Sequence, residues 1–330
     1  MADNQDSFIQ PDPGEHYGFL KDLADPPVSH QCLSPGVVEH CTAGGRIFTS
    51  IRLLLPSNGL VAGETLLSLA ALMRDYRLSG RRTVRQGFEL IAGEGTALEE
   101  LFRDLKDRGF VVGGTGFYLH QIESCIGFIH CQNAVVDSPS LTQSLWEEFQ
   151  KFAAKPLPNA LKIGVSGCPN QCGLAVLNDL GLSGVYLEPP AIKTELLATK
   201  KLDLKLLRQS CPNGALKIFQ GPGDLSMQID RRHCTRCSSC AQTEPEIFVL
   251  GGPRAILITL KQTRSGEKAA PVELIPVEGA DYRPVIREVR RLVDLWIKNA
   301  FPGEEIAQTL RRTGVVLHQT GKGAEQCLDF

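Results

Sequence analysis

The stretches CIGFIHC (125–131) and GCPNQCG (167–173) decide how this chain is read. They place Cys125 and Cys131 as C-x5-C, and Cys168 and Cys172 as C-x3-C. Thiolates are soft donors suited to iron–sulfur clusters and zinc. Zinc sites more usually show C-x2-C pairs or histidines at matched spacing, and neither loop has them. Pro169, Asn170 and the flanking Gly167 and Gly173 predict a tight turn whose backbone N–H groups approach cluster sulfides. A buried free cysteine is also a common core residue, and either pair alone would read that way. Both pairs together, with a further cysteine group downstream, read as metal ligands.

That further group is HCTRCSSC (233–240), which spaces Cys234, Cys237 and Cys240 as C-x2-C-x2-C. A distant Cys211-Pro212 precedes it. Three close thiolates plus a remote Cys-Pro resemble a bacterial ferredoxin. Glu244-Pro245 stands where a two-cluster ferredoxin has another cysteine, so one cluster is expected in this segment. The competing reading is a zinc ribbon.

The whole chain bounds the answer further. It has 330 residues, 42% of them hydrophobic, enough for two or three packed domains. A formal net charge of −2 excludes an electrostatic case for nucleic acid as the main ligand. The opening MADNQDSFIQPDPGEH has no basic region and no apolar run, so no signal peptide is expected. LLSLAALM is far too short for a bilayer span, and no membrane span is expected. Eleven cysteines without an export signal argue for metal over disulfides, and for a cytoplasmic protein.

Residues 1–45 show no sustained periodicity and read as an extension, an arm over a neighbouring surface. Cys32 and Cys41 sit there with His30 and His40 nearby; a metal site is one reading, but C-x8-C matches known spacings poorly and isolated thiols are the expectation. From Arg46 the pattern becomes regular. RIFTSIRLLLP (46–56) is strand-like and GETLLSLAALMRDY (63–76) has helical spacing. RRTVRQGFELIAG (81–93) alternates as one strand, and TALEELFRDLKDRG (96–109) is an amphipathic helix ended by Gly109. Two β–α units in succession predict a split β-α-β half domain of ferredoxin-like form. GGTG (113–116) is a glycine turn without a P-loop lysine. SLWEEFQKFAAK (144–155) reads as a helix, LKIGVSG (161–167) as a buried strand delivering Cys168, and NDLGLSGVYLE (178–188) as a loop and strand. ILITL (256–260) and PVELIPV (271–277) are strands; 283–300 and 304–314 are helices. The tail 315–330 holds Cys327 and reads as frayed.

GGTGFYLHQIESCIGFIHC (113–131) and LKIGVSGCPNQCG (161–173) resemble the siroheme–[4Fe-4S] signature of the sulfite and nitrite reductase family, most of all its dissimilatory sulfite reductase branch. The resemblance implies that Cys125, Cys131, Cys168 and Cys172 hold a [4Fe-4S] cluster and that Cys172 bridges it to siroheme. It implies a second [4Fe-4S] cluster on Cys211, Cys234, Cys237 and Cys240. Thr83-Val84-Arg85-Gln86 matches the family's T-x-R-Q element, whose Arg contacts the anionic substrate. Arg81, taken with Arg85 on one strand face, would meet siroheme carboxylates; for Arg81 and Arg82 a solvated strand edge is the equal alternative. Thr83 joins them as a cofactor-binding candidate.

The family's other distal cations are only partly present. His120 stands where a second Arg is usual, and in LPNALK (157–162) Ala160 replaces one Lys while Lys162 is retained. Arg85, Lys162 and His120 are therefore the catalytic candidates, with His120 either a proton donor or a packed histidine. Only one copy of the half domain is present, which implies a homologous second subunit, or a second copy of this chain, and an electron-donor protein.

The resulting expectation is an α+β chain: N-terminal extension (1–45), ferredoxin-like half domain (46–112), mixed α/β siroheme domain (113–198 and 259–330) and inserted [4Fe-4S] ferredoxin domain (199–258). Its function would be six-electron reduction of sulfite to sulfide, with electrons relayed through the ferredoxin cluster to a siroheme–[4Fe-4S] centre. The alternatives are a siroheme nitrite reductase, or a non-catalytic electron-transfer or structural subunit of such a complex.

Overall fold

The computed structural model describes residues 27–55, 60–221, 224–261 and 270–314. Cys327 and the first part of the expected extension lie outside them. The chain divides into two compact units. One comprises the chain up to Leu55 with Val61–Gly116; the other comprises Pro56–Leu60 with Phe117 onward.

The first unit is one antiparallel sheet backed by two helices. Its elements are β1 (Pro27–Ser34), β2 (Val37–Thr42), β3 (Ile47–Leu54), α1 (Gly63–Asp75), β4 (Ser79–Arg82), β5 (Phe88–Gly93), α2 (Leu98–Asp107) and β6 (Val111–Val112). The strand order is β1-β2-β3-β5-β4, with β6 also beside β3. The run β3-α1-β4-β5-α2-β6 thus has the split β-α-β connectivity that the alternation of patterns predicts. Period two sends Ile51 and Leu53 of β3, with Leu90 and Ala92 of β5, to one face. There they meet Leu69 and Leu72 of α1, and Leu101 and Leu105 of α2. Fully burying each such leucine contributes roughly 1.5–3 kcal/mol. Gly109 ends α2 as expected: at φ +76 it lets its own N–H reach Lys106 O at 2.9 Å and that of Phe110 reach Leu105 O at 2.9 Å.

Two expectations are corrected here. Residues 27–42 are not an irregular arm, because β1 and β2 pair antiparallel and β2 pairs β3. The short polar and β-branched residues there hid the strands, since β1 is exposed on both faces and shows no apolar alternation. Nor is 81–93 one strand: β4 ends at Arg82 and β5 starts at Phe88. Between them Thr83 closes a turn, its N–H donating to Gly87 O (2.9 Å) and its Oγ1 accepting from Gly87 N (3.1 Å). Gln86 takes the left-handed φ of +62. Arg81 and Arg85 therefore share no strand face; Arg81 is in β4 and Arg85 in the turn.

The face of this sheet opposite the helices carries a buried carboxylate. Glu89, 5% exposed, is the cross-strand partner of both Arg52 and Arg81. Arg52 Nη2 donates to Oε1 at 2.9 Å, and Arg81 donates to Oε2 from Nε at 2.7 Å and from Nη2 at 2.6 Å. Burial alone would raise the Glu89 pKa, but the two guanidiniums hold it below the usual carboxylate value. A depressed native pKa contributes stability that is present above the unfolded value and is lost as pH falls through the native one. Glu89→Gln is accordingly expected to raise hydrogen exchange across β4 and β5 near neutrality, by an opening free energy of about 2 kcal/mol. The difference from the wild type should close in acid; equal protection of both proteins at neutral pH would show that the triad contributes nothing.

The second unit is built on a mixed sheet of order β15-β14-β9-β8-β7. Its strands are β7 (Glu123–Ser124), β8 (Ile163–Ser166), β9 (Leu180–Tyr186), β14 (Arg254–Leu260) and β15 (Ala270–Pro276). β7, β8 and β9 are parallel; β9, β14 and β15 are antiparallel. A core of Ile163, Val165, Leu180, Ile256 and Ile258 packs with Leu141 and Leu145 of α3 (Ser138–Phe149) and with Val289 and Trp296 of α6 (Arg283–Asn299). α3 starts six residues earlier than the sequence suggests, because Asp137 caps it by accepting from Ser140 N at 3.3 Å. A 3-10 turn, Gln150–Ala153, follows it. α7 (Ile306–Arg312) follows α6, opened by a reciprocal Glu305–Gln308 capping box.

A smaller module leaves this sheet after β9. It comprises β10 (Ala191–Ile192) paired with β13 (Phe248–Val249), the hairpin β11 (Leu216–Gly221) and β12 (Asp224–Ile229), and helices α4 (Leu204–Ser210) and α5 (Ser239–Thr243). It has a core of its own, including Leu207, Leu216, Ile218, Met227 and Phe248. The chain is thus α+β, with one antiparallel and one mixed sheet as its main layers.

Candidate metal centres

Cys125 and Cys168 both lie just past the carboxyl ends of adjacent parallel strands. Cys125 follows β7 directly, its N–H bonded to Val165 O (3.1 Å), and Cys168 follows β8 after Gly167. Loops leaving that end of parallel strands are where α/β sheets place ligands. Gly167 ties the two loops together: its N–H donates to Cys125 Sγ at 3.0 Å, and its carbonyl accepts from Val135 N and Val136 N. Gly173 is needed by space, since a Cβ there would lie 1.9 Å from Val165 O. Gln171 (φ +58) and Leu174 (φ +54) flank Cys172 in left-handed conformations, which alternate with right-handed ones in backbone anion nests.

Cys125, Cys131 and Cys172 all lie near enough to Cys168 to act on it electrostatically. Burial pushes the Cys168 thiol up to about 11; the Asn170 backbone N–H opposes this, while Cys131, Cys125 and Cys172 push it further up. Such a thiol keeps its proton at neutral pH until a metal displaces it. Cys172 differs from the others in being exposed. On the two cysteine loops and just after them, Ile126, Phe128, Ile129, Leu174 and Leu177 are also exposed. An exposed thiol with exposed apolar side chains on the same loops would suit a tetrapyrrole, which would take a thiolate ligand from Cys172.

In the separate module, Cys211, Cys234, Cys237 and Cys240 line one cavity. Burial pushes Cys234 up to about 11 and Cys240 to about 12, with neighbouring thiols of the set adding to each shift. Cys211 Sγ accepts from Ala215 N at 3.1 Å. Arg236 (φ +57) and Ser238 (φ +58) turn left-handed between the cysteines. Ser238 Oγ is buried, has no partner, and faces the same cavity. An all-sulfur donor set with an orphan hydroxyl beside it fits an iron–sulfur cluster, whose sulfides accept such a bond. Among the described residues no three His, Cys, Asp or Glu side chains close on one point as a single metal ion would require.

The remaining site candidates fall into two places. In the first unit Arg81 is held by Glu89, Arg82 is exposed, Thr83 braces the turn, and Arg85 is half-buried within it. In the second unit the parallel bridge Leu119↔Leu161 sets His120 and Lys162 on neighbouring segments, with His120 N–H donating to Leu161 O at 2.9 Å. Both are half-buried. Sequence reasoning missed the network behind Lys162. Asp179 Oδ2 accepts from Lys162 N (2.8 Å) while its Oδ1 pairs with Lys261 Nζ (2.7 Å), which also reaches Glu305 at 3.0 Å. Burial would lower the Lys261 pKa, yet Asp179 and Glu305 together raise it. It also missed Glu123, buried one residue before Ser124, whose Oε2 accepts from Asn178 Nδ2 at 2.7 Å. No local spacing marks either pairing.

Among the described residues no helix is long and apolar enough to cross a membrane. The chain is 23% identical over 320 residues to the beta subunit of the dissimilatory-type sulfite reductase of Archaeoglobus fulgidus, covering 90% of this chain and 86% of that one. It is 24% identical over 244 residues to the alpha subunit from Allochromatium vinosum, covering 69% and 57% of the two chains. Its fold is similar to the crystal structure of dissimilatory sulfite reductase I, with a TM-score of 0.70 at 20% identity, over 94% of this chain and 80% of that one. Residues 118–320, which include both cysteine sets, match the nitrite and sulphite reductase 4Fe-4S domain. The chain therefore belongs to the nitrite and sulphite reductase 4Fe-4S family.

Proposed function

We propose that the chain is a subunit of a siroheme-dependent sulfite reductase of the dissimilatory type. The observation that carries this reading is the pairing of an exposed Cys172, set among three less exposed thiols, with a second, separate cysteine-lined cavity. Cys125, Cys131, Cys168 and Cys172 would hold one four-iron cluster, and Cys211, Cys234, Cys237 and Cys240 another. When bound, siroheme and its coupled cluster supply the multi-electron redox chemistry of sulfite reduction. The module between β9 and β14 is then the electron-entry domain, and the half domain 46–112 is one half of a cradle completed by a homologous subunit. Relatives named as alpha and beta subunits support that pairing. An electron-donor protein completes the assembly.

The residues of this chain would bind the oxyanion and manage its protons. Arg85 offers a fork of permanently charged donors, and its turn is held in shape by Thr83 and Gln86. Lys162 contributes a second cation whose backbone is pinned by Asp179. His120, on the neighbouring segment, carries an imidazole, the side-chain type most used for proton delivery. Ala160 removes one cation that the family usually has, which favours nitrite, the less highly charged anion, as the second reading.

Turnover of sulfite and nitrite by the purified complex, with a low-potential viologen donor, tests this. Arg85→Ala is expected to lower kcat/KM for the preferred anion by about 10²–10³, as for loss of one oxyanion donor, with the chromophore spectrum unchanged. Unchanged turnover would place catalysis on the partner subunit. Higher turnover on nitrite than on sulfite would select the second reading.

A further inference from the structure

The edge hairpin of the first unit places two histidines face to face. His30 of β1 and His40 of β2 are direct cross-strand partners, with their Nδ1 atoms 2.7 Å apart. Directly opposed strand positions hold Cβ atoms about 4.5–5.5 Å apart, close enough for two imidazoles to share one ion. The His40 ring stacks on Phe48 at a centroid distance of 4.6 Å, so its orientation is set by packing.

Ser50 favours one tautomer. Ser50 Oγ donates to Val38 O at 3.5 Å, which leaves the hydroxyl oxygen to accept from His40 Nε2–H at 2.8 Å. In that tautomer His40 Nδ1 accepts from His30 Nδ1–H across the 2.7 Å contact, and a bound cation would take the place of that proton. An outer hydrogen bond that fixes the ring and frees the other nitrogen is the usual support of a metal-bound histidine. His30 is exposed and reaches the matching Nε2–H tautomer by exchange with water.

We propose that His30 and His40 form a binding site for a divalent first-row transition cation, independent of the cysteine sets, with water completing its coordination. Imidazole nitrogen selects zinc, nickel or copper over magnesium or calcium. No third His, Cys, Asp or Glu among the described residues joins the pair in holding an ion. Cys32 and Cys41 stay outside it. Cys41 follows His40 and so faces the other side of the sheet, and Cys32 lies opposite Val38, its thiol donating to Ser34 O at 3.4 Å.

The test is anaerobic calorimetric titration of Ni²⁺ into the tag-free, cluster-loaded protein. One Ni²⁺ per chain is expected, with binding lost in His30→Ala and weakened roughly tenfold in Ser50→Ala through the freed His40 tautomer. Cys32→Ser should bind as the wild type does. His30 is exposed, so its removal leaves the packing intact and keeps the test decisive even where His40→Ala misfolds. Equal binding by wild type and His30→Ala, or loss of binding in Cys32→Ser, would overturn the site.

Discussion

Cys172→Ser is expected to abolish sulfite turnover by the assembled complex while the other cysteine set keeps its iron. Cys172 is the exposed thiol of its set, the sulfur that the proposed reading makes the bridge between cluster and tetrapyrrole. A serine hydroxyl is far less acidic than a thiol and its oxygen a harder donor than a thiolate, so the bridge would fail without a change of shape. Because the residue is exposed, the substitution leaves no cavity, and folding should be preserved. Electron paramagnetic resonance of the dithionite-treated protein separates the outcomes. Loss of magnetic coupling between the two centres, with the signal of the second cluster intact, is the expected pattern. Full turnover in the variant would remove Cys172 from the bridging role and with it the central step of the proposal.

The second large effect is expected from the double variant Cys234→Ser/Cys240→Ser. Both thiols are drawn into the cavity that Cys211 and Cys237 also line, and both are raised to about 11 and 12 by burial. Two remaining thiolates cannot hold a four-iron cluster against hydrolysis, so iron and acid-labile sulfide should fall by roughly half if each set binds one. The module has its own apolar core, with Leu207, Ile218 and Phe248, so the loss should stay local. Turnover with a protein donor should collapse, while a small viologen that reaches the other centre directly should still support it. Loss of all iron would mean that the two cysteine sets are not independent. Retention of full iron would exclude this set as a ligand group.

The sequence was most informative where chemistry is local. Cysteine spacing in 125–131, 168–172 and 234–240 is legible without knowledge of the fold, because it is a property of residues within one short loop. Gly109 as a helix stop and the buried stripes of α2 and α6 were legible for the same reason: capping and 3.6-residue periodicity are properties of a few neighbouring residues. The turn at 83–87 was misread because Arg, Thr and Val are all compatible with a strand, and its deciding features are the left-handed Gln86 and the Thr83–Gly87 bonds. The hairpin at 27–42 was missed because an edge strand exposed on both faces has no apolar period to display.

What the sequence by itself determined is the inventory of donors, the α+β alternation and the family. Tertiary structure alone decided which donors meet. Glu89 is buried only because register sets Arg52 and Arg81 on either side of it, 37 and 8 residues away. Asp179 steadies Lys162 because two parallel strands lie side by side, and His30 finds His40 across a hairpin. The physical reason is common to all three. A charge or ring pairs through space at hydrogen-bond distance, whereas a sequence pattern reports only what lies within a turn or two of the same chain.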